Sequence, residues 1–233
     1  MTTYKTYFDI LPYDLIKQYF LNNFSLEDIL EIMPQLINIS PFNKLFKTDL
    51  HNIWKDLWRR DISEVRIPEK LTYNDYVEKI ESYLQVSPND YGRLMEAVEK
   101  GYEKMVYHLL KKSTIISDYE DALFDAALYG YLDMVGGIIN LGKLNISSLN
   151  VALFEAVRGG QIDVVRLLLD KGAQVAENML IQAVDGNNPE IAEMLLEAGA
   201  TDVNRALSVA NYYQERQLGD YNEMIELLES YQP

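Results

Sequence analysis

Residues 153–173 read LFEAVRGGQIDVVRLLLDKGA, and this stretch decides the fold. It contains two short segments with apolar residues at helical spacing, the second of which carries Leu168 and Leu169 on one face. Gly160 ends the first segment and Gly172 ends the second. Because glycine has no Cβ, it adopts the left-handed conformation that closes many helices without a steric penalty. The stretch therefore predicts a pair of short helices, each closed by glycine.

The same arrangement recurs along residues 89–233. Four copies share a small residue in the first helix, and these origin alanines are 29, 30 and 27 residues apart: Ala97, Ala126, Ala156 and Ala183. Four residues after each origin stands a residue that tolerates left-handed backbone: Gly101, Gly130, Gly160 and Asn187. A fifth copy runs from Ala206 to Tyr231 and contains an insertion, Gln214 to Leu218. The repetition predicts a serial array of helix pairs.

Helices of this length are too short to persist alone in water. Each pair must therefore bury its Leu and Ile side chains against the next pair, which stabilises the array by about 1.5–3 kcal/mol for each buried side chain. The pattern predicts an all-α solenoid of short-period repeats. Gly136 and Gly137 lie within a second helix, where each weakens it by about 1 kcal/mol relative to Ala. They indicate either close packing or a soft joint.

Residues 153–173 closely resemble the ankyrin repeat, and the stretches 94–110, 123–142 and 180–200 are similar. The copies lack the Thr-Pro-Leu-His tetrapeptide of that family, and their spacing is shorter than its usual period of about 33 residues. Such short-period copies are similar to those in ankyrin proteins of large DNA viruses. The resemblance implies a protein-binding array of about five repeats with trimmed hairpins, and it argues against an enzyme.

The chain ahead of the repeats does not share their pattern. Leu11 and Pro12 open a first helical segment, where proline suits the first turn because its missing N–H would be unpaired there anyway. Ser25 and Asp28 have the spacing of a helix capping box. A third helix follows and ends at Asp61. The pattern predicts a small, separate helical domain.

Residues 8–61 resemble an F-box domain, which in F-box proteins docks on the adaptor subunit of a cullin-RING ubiquitin ligase. The resemblance implies that the following residues contact the adaptor: Leu11, Pro12, Leu15, Ile16, Leu26, Ile29, Leu30, Trp54 and Leu57. The alternative is a helical cap that covers the apolar face of the first repeat. The predicted organisation is an F-box-like domain at 1–61, a helical linker or cap at 62–88 and ankyrin repeats at 89–233.

The charge of the chain is acidic and unevenly placed. The 233 residues carry a net charge of −15, with 10 Lys+Arg against 13 Asp+Glu in residues 1–88 and 11 against 23 in residues 89–233. Such a surface repels phosphate backbones, so nucleic acid is not an expected partner. It favours a basic target protein, or it serves solubility alone.

Several site types are absent from the sequence. It has no cysteine, only two histidines, no phosphate-binding glycine loop and no apolar run long enough to cross a membrane. We therefore expect no catalytic residues, no cofactor, no metal and no membrane attachment. A cytoplasmic location fits these features.

In the ankyrin family, partners bind the concave face formed by the first helices and the loops that lead into them. Positions six before and two or three after each origin fall on that face by register. The resemblance implies a partner-binding groove with these residues: Tyr91, Glu99, Lys100, Glu120, Tyr129, Arg158, Asp185, Tyr212 and Tyr213. Tyrosine and arginine are frequent anchors of binding energy, although packing at helix ends accounts for the tyrosines as well.

Together these features predict the substrate-recruiting subunit of an SCF-type ubiquitin ligase, in which the F-box-like domain docks on the adaptor and the ankyrin groove holds a target. If a virus or an intracellular bacterium encodes the chain, the target is a host protein and the location is the host cytoplasm. The alternative is an ankyrin scaffold or a stoichiometric inhibitor with an N-terminal cap and no ubiquitin role.

Overall fold

The computed structural model describes residues 50–61 and 91–232, with side chains at 55–60 in the first range. Every regular element in these ranges is an α-helix, as the sequence predicts. In chain order they are α1 (Leu50–Asp61), α2 (Tyr91–Glu99), α3 (Glu103–Lys112), α4 (Ile116–Tyr129), α5 (Leu132–Asn140), α6 (Ile146–Arg158), α7 (Ile162–Asp170), α8 (Met179–Asp185), α9 (Pro189–Glu197), α10 (Val203–Glu215) and α11 (Asn222–Ser230). The predicted helices before Leu50 and the predicted linker at 62–88 lie outside the described residues.

The chain divides into two compact units, one up to Thr114 and the other from Ile115 onward. In the second unit the helices form four consecutive pairs, α4–α5, α6–α7, α8–α9 and α10–α11. The first helices of neighbouring pairs pack on each other, and so do the second helices. This serial stacking confirms the predicted solenoid. None of the helices in the described ranges is both long enough and apolar enough to cross a membrane.

Helices α4, α6 and α8 each end in a left-handed residue four positions after the origin alanine. Gly160 has φ 69°, and Asn187, which stands in place of glycine, has φ 49°. The backbone N–H that follows donates to the carbonyl oxygen of the origin, as from Gln161 to Ala156 at 2.9 Å. This bond satisfies a carbonyl that a helix end leaves without an intrahelical partner. The sequence predicted these helix ends correctly.

Small residues in the first helices and larger ones in the second helices form the core of the second unit. Four alanines of the first helices have no exposed surface: Ala126, Ala156, Ala183 and Ala210. The second helices bury branched, sulfur-containing and other apolar side chains: Met134, Val135, Ile138, Val164, Val165, Leu168, Ile191, Ala192, Leu195, Leu196, Met224 and Leu228. Because alanine is small, the backbones of neighbouring first helices come close together, and the longer side chains fill the space behind them.

Pairs α4–α5 and α6–α7 approach so closely that Gly159 cannot carry a side chain without a shift. A Cβ at Gly159 would lie 2.3 Å from the carbonyl oxygen of Leu128. The side chain of Gln161 closes the same junction, because its Nε2 donates to the carbonyl oxygens of Leu128 at 3.0 Å and Gly159 at 2.9 Å. At Gly136, by contrast, a Cβ would meet only Leu167 at 3.9 Å, so close packing does not require glycine there.

In the first unit, α1 packs against α3. Leu57 and Trp58 of α1 are buried, and the Trp58 ring meets Tyr102 edge-to-face with ring centroids 5.5 Å apart. Lys104 Nζ donates to the carbonyl oxygen of Arg59 at the end of α1. Helix α1 is therefore part of the packed interior that the pair α2–α3 shares.

Adding one methyl group at Gly159 tests the close junction between neighbouring pairs. We expect Gly159→Ala to lower the free energy of unfolding by about 1–3 kcal/mol, the usual cost of overpacking a filled interior. The midpoint of urea unfolding, followed by circular dichroism, measures the change.

Gly136→Ala is the matched control, because it adds the same methyl group inside α5 of the same unit. It meets ordinary van der Waals contact and improves helix propensity, so we expect the free energy of unfolding to rise by up to about 1 kcal/mol. Equal midpoints for the two variants would contradict the junction at Gly159.

Candidate partner-binding surface

The first helices of the second unit leave one side uncovered by their stacked neighbours. Residues three or four apart in a helix lie on the same side, so the exposed and half-buried positions of α4, α6, α8 and α10 line up across the stack. We term this row the first-helix strip. It consists of Asp121, Asp125, Leu128, Val151, Glu155, Arg158, Gln182, Asp185, Arg205, Val209 and Tyr212.

One end of the strip, on α4 and α6, is a group of carboxylates around one arginine. Arg158 forms an ion pair with Glu155, three residues earlier in α6, and its side chain remains about half exposed at 49%. Burial raises the pKa of the Asp125 carboxyl above its ordinary value, the charge of Asp121 raises it further, and the Arg158 guanidinium lowers it. This end of the strip therefore presents concentrated negative charge that Arg158 only partly offsets.

The other end of the strip, on α8 and α10, is aromatic. The Tyr213 hydroxyl donates to Asp185 Oδ1 at 2.8 Å, which joins two neighbouring repeats and raises the pKa of Tyr213 because the bond favours the protonated phenol. The ring of Tyr213 also meets Tyr212 at 5.8 Å and Tyr221 at 5.3 Å between centroids. The Arg216 guanidinium lies 4.9 Å above the Tyr212 ring. Tyr212 itself is 49% exposed.

The structure brings three of the predicted groove residues together, namely Asp185, Tyr212 and Tyr213. Arg158 lies on the same strip, and Tyr129 is 44% exposed at the end of α4, beside Tyr131 with 5.8 Å between ring centroids.

The remaining predicted groove residues are placed differently. Glu120 accepts a hydrogen bond from the buried Ser148 hydroxyl at 2.8 Å, so it ties α4 to α6. Tyr91, Glu99 and Lys100 belong to the first unit, where all three are exposed. Their part in a groove stays a prediction.

Two residues that the sequence did not single out contribute to the aromatic end. Tyr221 is 6% exposed and packs its ring against Tyr213, while Arg216 lies over Tyr212. The spacing of four residues from Tyr212 to Arg216 could have indicated the Arg216 contact, because it places the two on the same side of a helix. The predicted insertion began at Gln214, so the predicted helix did not extend to Arg216, whereas α10 continues through Glu215.

Of the residues predicted to contact a ligase adaptor, only Leu57 has a described side chain. It is 2% exposed next to Trp58, so in this structure it is a packing residue. The side chain of Trp54 and all the residues from Leu11 to Leu30 lie outside the described part, and their role stays a prediction. Among the described residues, no group of three or more His, Asp or Glu side chains is arranged to hold a metal ion.

Stacked helix pairs with buried alanines, glycine-closed ends and an exposed strip of first-helix side chains define a helical repeat protein built for contact with a partner. A family model describing three copies of the ankyrin repeat matches residues 94–179 and 123–206. The matched residues are similar to ankyrin repeats, which are protein–protein interaction modules that generally serve as non-enzymatic scaffolds. A search of curated proteins finds no match to the chain.

The charges of the acidic end can be tested by titration of Asp125. We expect Arg158→Gln to raise the pKa of Asp125, because it removes the cation that lowers it, and Asp121→Asn to lower that pKa. Carboxyl ¹³C chemical shifts measured against pH report both changes. Shifts of the same sign in the two variants would contradict the assigned arrangement.

The same carboxyl links stability to pH. Since folding raises the pKa of Asp125, its contribution to stability is present below the ordinary carboxyl pKa and is lost as the pH rises through the folded-state pKa. We expect the free energy of unfolding of Asp125→Asn to fall less than that of the wild type as the pH rises from about 4 to 7. Urea unfolding across that range measures the difference, and parallel curves would contradict it.

Proposed function

We propose that the first-helix strip holds a target protein and that residues 1–61 dock on the adaptor subunit of an SCF-type ubiquitin ligase. The observation that carries the proposal is the strip itself, a row of exposed aromatic and charged side chains on a stacked helical support. In this reading the chain carries out no chemistry of its own and brings a target to the ligase in the cytoplasm. If the chain is viral, that target is a protein of the host.

Exposed large side chains that are already held in place support target binding by the strip. Arg158 is paired with Glu155, and Tyr212 lies under the Arg216 guanidinium. Ordering such side chains on binding costs less free energy than ordering free ones, and tyrosine and arginine are the usual anchors of an interface.

The charge of the second unit supports a basic target. Residues 115–233 contain 19 Asp+Glu and 6 Lys+Arg. A surface of this sign attracts cationic proteins and speeds their encounter, while it repels nucleic acid. We therefore expect the affinity for the target to fall as the salt concentration rises.

The ligase role is supported by the order of the sequence patterns, since the F-box-like pattern from Leu11 to Asp61 precedes the repeat array in the chain. Because Leu57 is buried, the proposal assigns the adaptor contacts chiefly to residues ahead of α1, with Leu11 and Pro12 foremost.

A direct binding experiment tests the ligase role. Purified full-length chain should bind the purified ligase adaptor at micromolar concentration, and the double variant Leu11→Glu, Pro12→Glu should lose detectable binding, because charged groups cannot be buried in an apolar interface without a partner. Isothermal calorimetry measures both.

Tyr212→Ala is the control for this experiment, because it lies on the strip and should leave adaptor binding unchanged. Failure of the wild-type chain to bind the adaptor would defeat the ligase role, and the target-binding strip would then stand alone.

A scaffold or a stoichiometric inhibitor is the second candidate, and the packing of α1 favours it. Helix α1 contacts α3 and buries Trp58 beside Tyr102, in the manner of the cap that an array needs at its end whether or not a ligase is involved. On this account the residues ahead of the repeats have a structural role, and the chain acts by occupying its target.

The cap predicts a large effect of Trp58→Ala on the first unit. We expect a loss of about 3–5 kcal/mol in the free energy of unfolding, as for other large aromatic side chains removed from a core. Hydrogen exchange at α2 and α3 measures the change, and unaltered protection of those helices would exclude the capping role.

A further inference from the structure

The last helix pair departs from the others where its two helices join. In α4, α6 and α8 the left-handed residue stands four positions after the origin. In α10 the corresponding buried alanine is Ala210, and the left-handed residue is Gln217 (φ 54°), seven positions after it. Helix α10 therefore runs five residues past that alanine, to Glu215, whereas α4, α6 and α8 end two or three residues past theirs. A further stretch of chain then leads into α11. We term residues 214–221 the insertion segment.

The insertion segment is fixed at several points. The Gln214 side chain accepts a hydrogen bond from the backbone N–H of Tyr221 at 2.7 Å, and the N–H of Leu218 donates to the carbonyl oxygen of Tyr213 at 3.1 Å. The buried ring of Tyr221 packs against Tyr213, which in turn is bonded to Asp185 of the preceding repeat. The segment is therefore held in a defined position relative to α8 and α10.

Asn187 supplies one more attachment, and this explains why asparagine replaces glycine in the fourth copy. Its Nδ2 donates to the carbonyl oxygen of Asp220 at 2.9 Å, while its backbone closes α8 in the left-handed conformation. Glycine would close the helix equally well but has no side chain to make this bond. The asparagine at this position is therefore explained by the insertion in the next copy, which supplies its hydrogen-bond acceptor.

The fixed segment holds an apolar side chain in solvent. Leu218 is 63% exposed, more than any other large hydrophobic residue in the described part of the chain, and Tyr212 is 49% exposed on the helix that leads into the segment. An exposed leucine on a fixed segment does not stabilise the fold. It suits an anchor for a partner, because a segment that is already ordered loses little conformational entropy on binding.

We propose that the insertion segment, together with Asp185 and Tyr212, is the principal docking platform of the array and that it binds a protein segment presenting a basic residue beside an apolar one. This rests on the proposed target-binding function and specifies where and what the strip binds. Leu218 and Tyr212 supply apolar contact, and the platform carries three carboxylates, on Glu215 and Asp220 of the segment and on Asp185, against the one guanidinium of Arg216. The excess of acidic residues in the second unit favours a cationic segment over an anionic one.

The test uses full-length, ¹⁵N-labelled chain and three sets of nine-residue synthetic peptides. One set combines Lys or Arg with Leu or Phe, the second replaces the basic residues by Glu, and the third replaces the apolar residues by Ser. We expect the basic–apolar set to shift the amide signals of Leu218, Tyr212 and Asp185, with an affinity that weakens as salt is added. The other two sets should bind at least ten times more weakly.

Two variants remove the platform without disturbing the core. Leu218→Ser removes the exposed anchor, and Asn187→Gly keeps the left-handed backbone but removes the attachment at Asp220. Each should weaken basic–apolar peptide binding about tenfold or more, which corresponds to about 1.4 kcal/mol. Leu132→Ser, which changes another exposed leucine of the same unit, is the matched control and should leave the affinity unchanged.

The outcomes separate this proposal from the broader function. If the peptides shift amides near Arg158 and Asp125 and bind both platform variants as tightly as the wild type, the strip binds protein but the insertion segment is not its platform. Stronger binding of the acidic set would overturn the partner chemistry. If no peptide shifts any amide of the second unit, the platform and target binding by the strip both fail.

Discussion

The close approach of neighbouring first helices is the constraint on which the rest of this structure depends. It requires a residue without bulk at the contact, and the origin alanines Ala126, Ala156 and Ala183 are completely buried there. The same alanines use their carbonyls to accept the bond that ends the first helix and turns the chain into the second. Packing between repeats and the local turn are therefore set by one residue in each copy. Gly159 shows how little room remains, since a Cβ there would meet the backbone of Leu128.

Stacking of this kind leaves the uncovered side of each first helix free to vary, and the proposed binding surface lies there. At one end of the first-helix strip the variation gives carboxylates whose repulsion Arg158 only partly relieves, and at the other it gives tyrosines held by Asp185 and Arg216. None of these side chains is needed to bury the core. Some are fixed by contacts within one repeat, as Arg158 is by Glu155, and others by a bond to a neighbouring repeat, as Tyr213 is by Asp185. The stack therefore acts as a rigid support for side chains that its own packing does not require.

Helix α1 and the insertion segment, the two described elements that depart from the repeat, treat apolar surface differently. In the first unit, α1 packs on α3 and buries Trp58 and Leu57, so this helix contributes to packing whatever else the N-terminal residues do. In the last repeat, α10 runs further past its origin alanine and leads into the insertion segment, which the other copies lack and which Asn187, Gln214 and Tyr221 hold in place. Helix α1 thus covers apolar surface, whereas the insertion segment exposes it.

The sequence alone determined the helix pairs, their ends and their stacking, because small and left-handed-tolerant residues recur at one register and helices so short need neighbours. It also placed Tyr212, Tyr213 and Asp185 on one face. Only the tertiary structure decided that Glu120 bonds to Ser148, that Gly136 is not needed for packing, and that Asn187 reaches Asp220. These contacts join residues 28 to 33 positions apart, or depend on the space left by a neighbouring repeat. A periodic pattern specifies which positions face each other, but the geometry of the stack fixes which atoms meet.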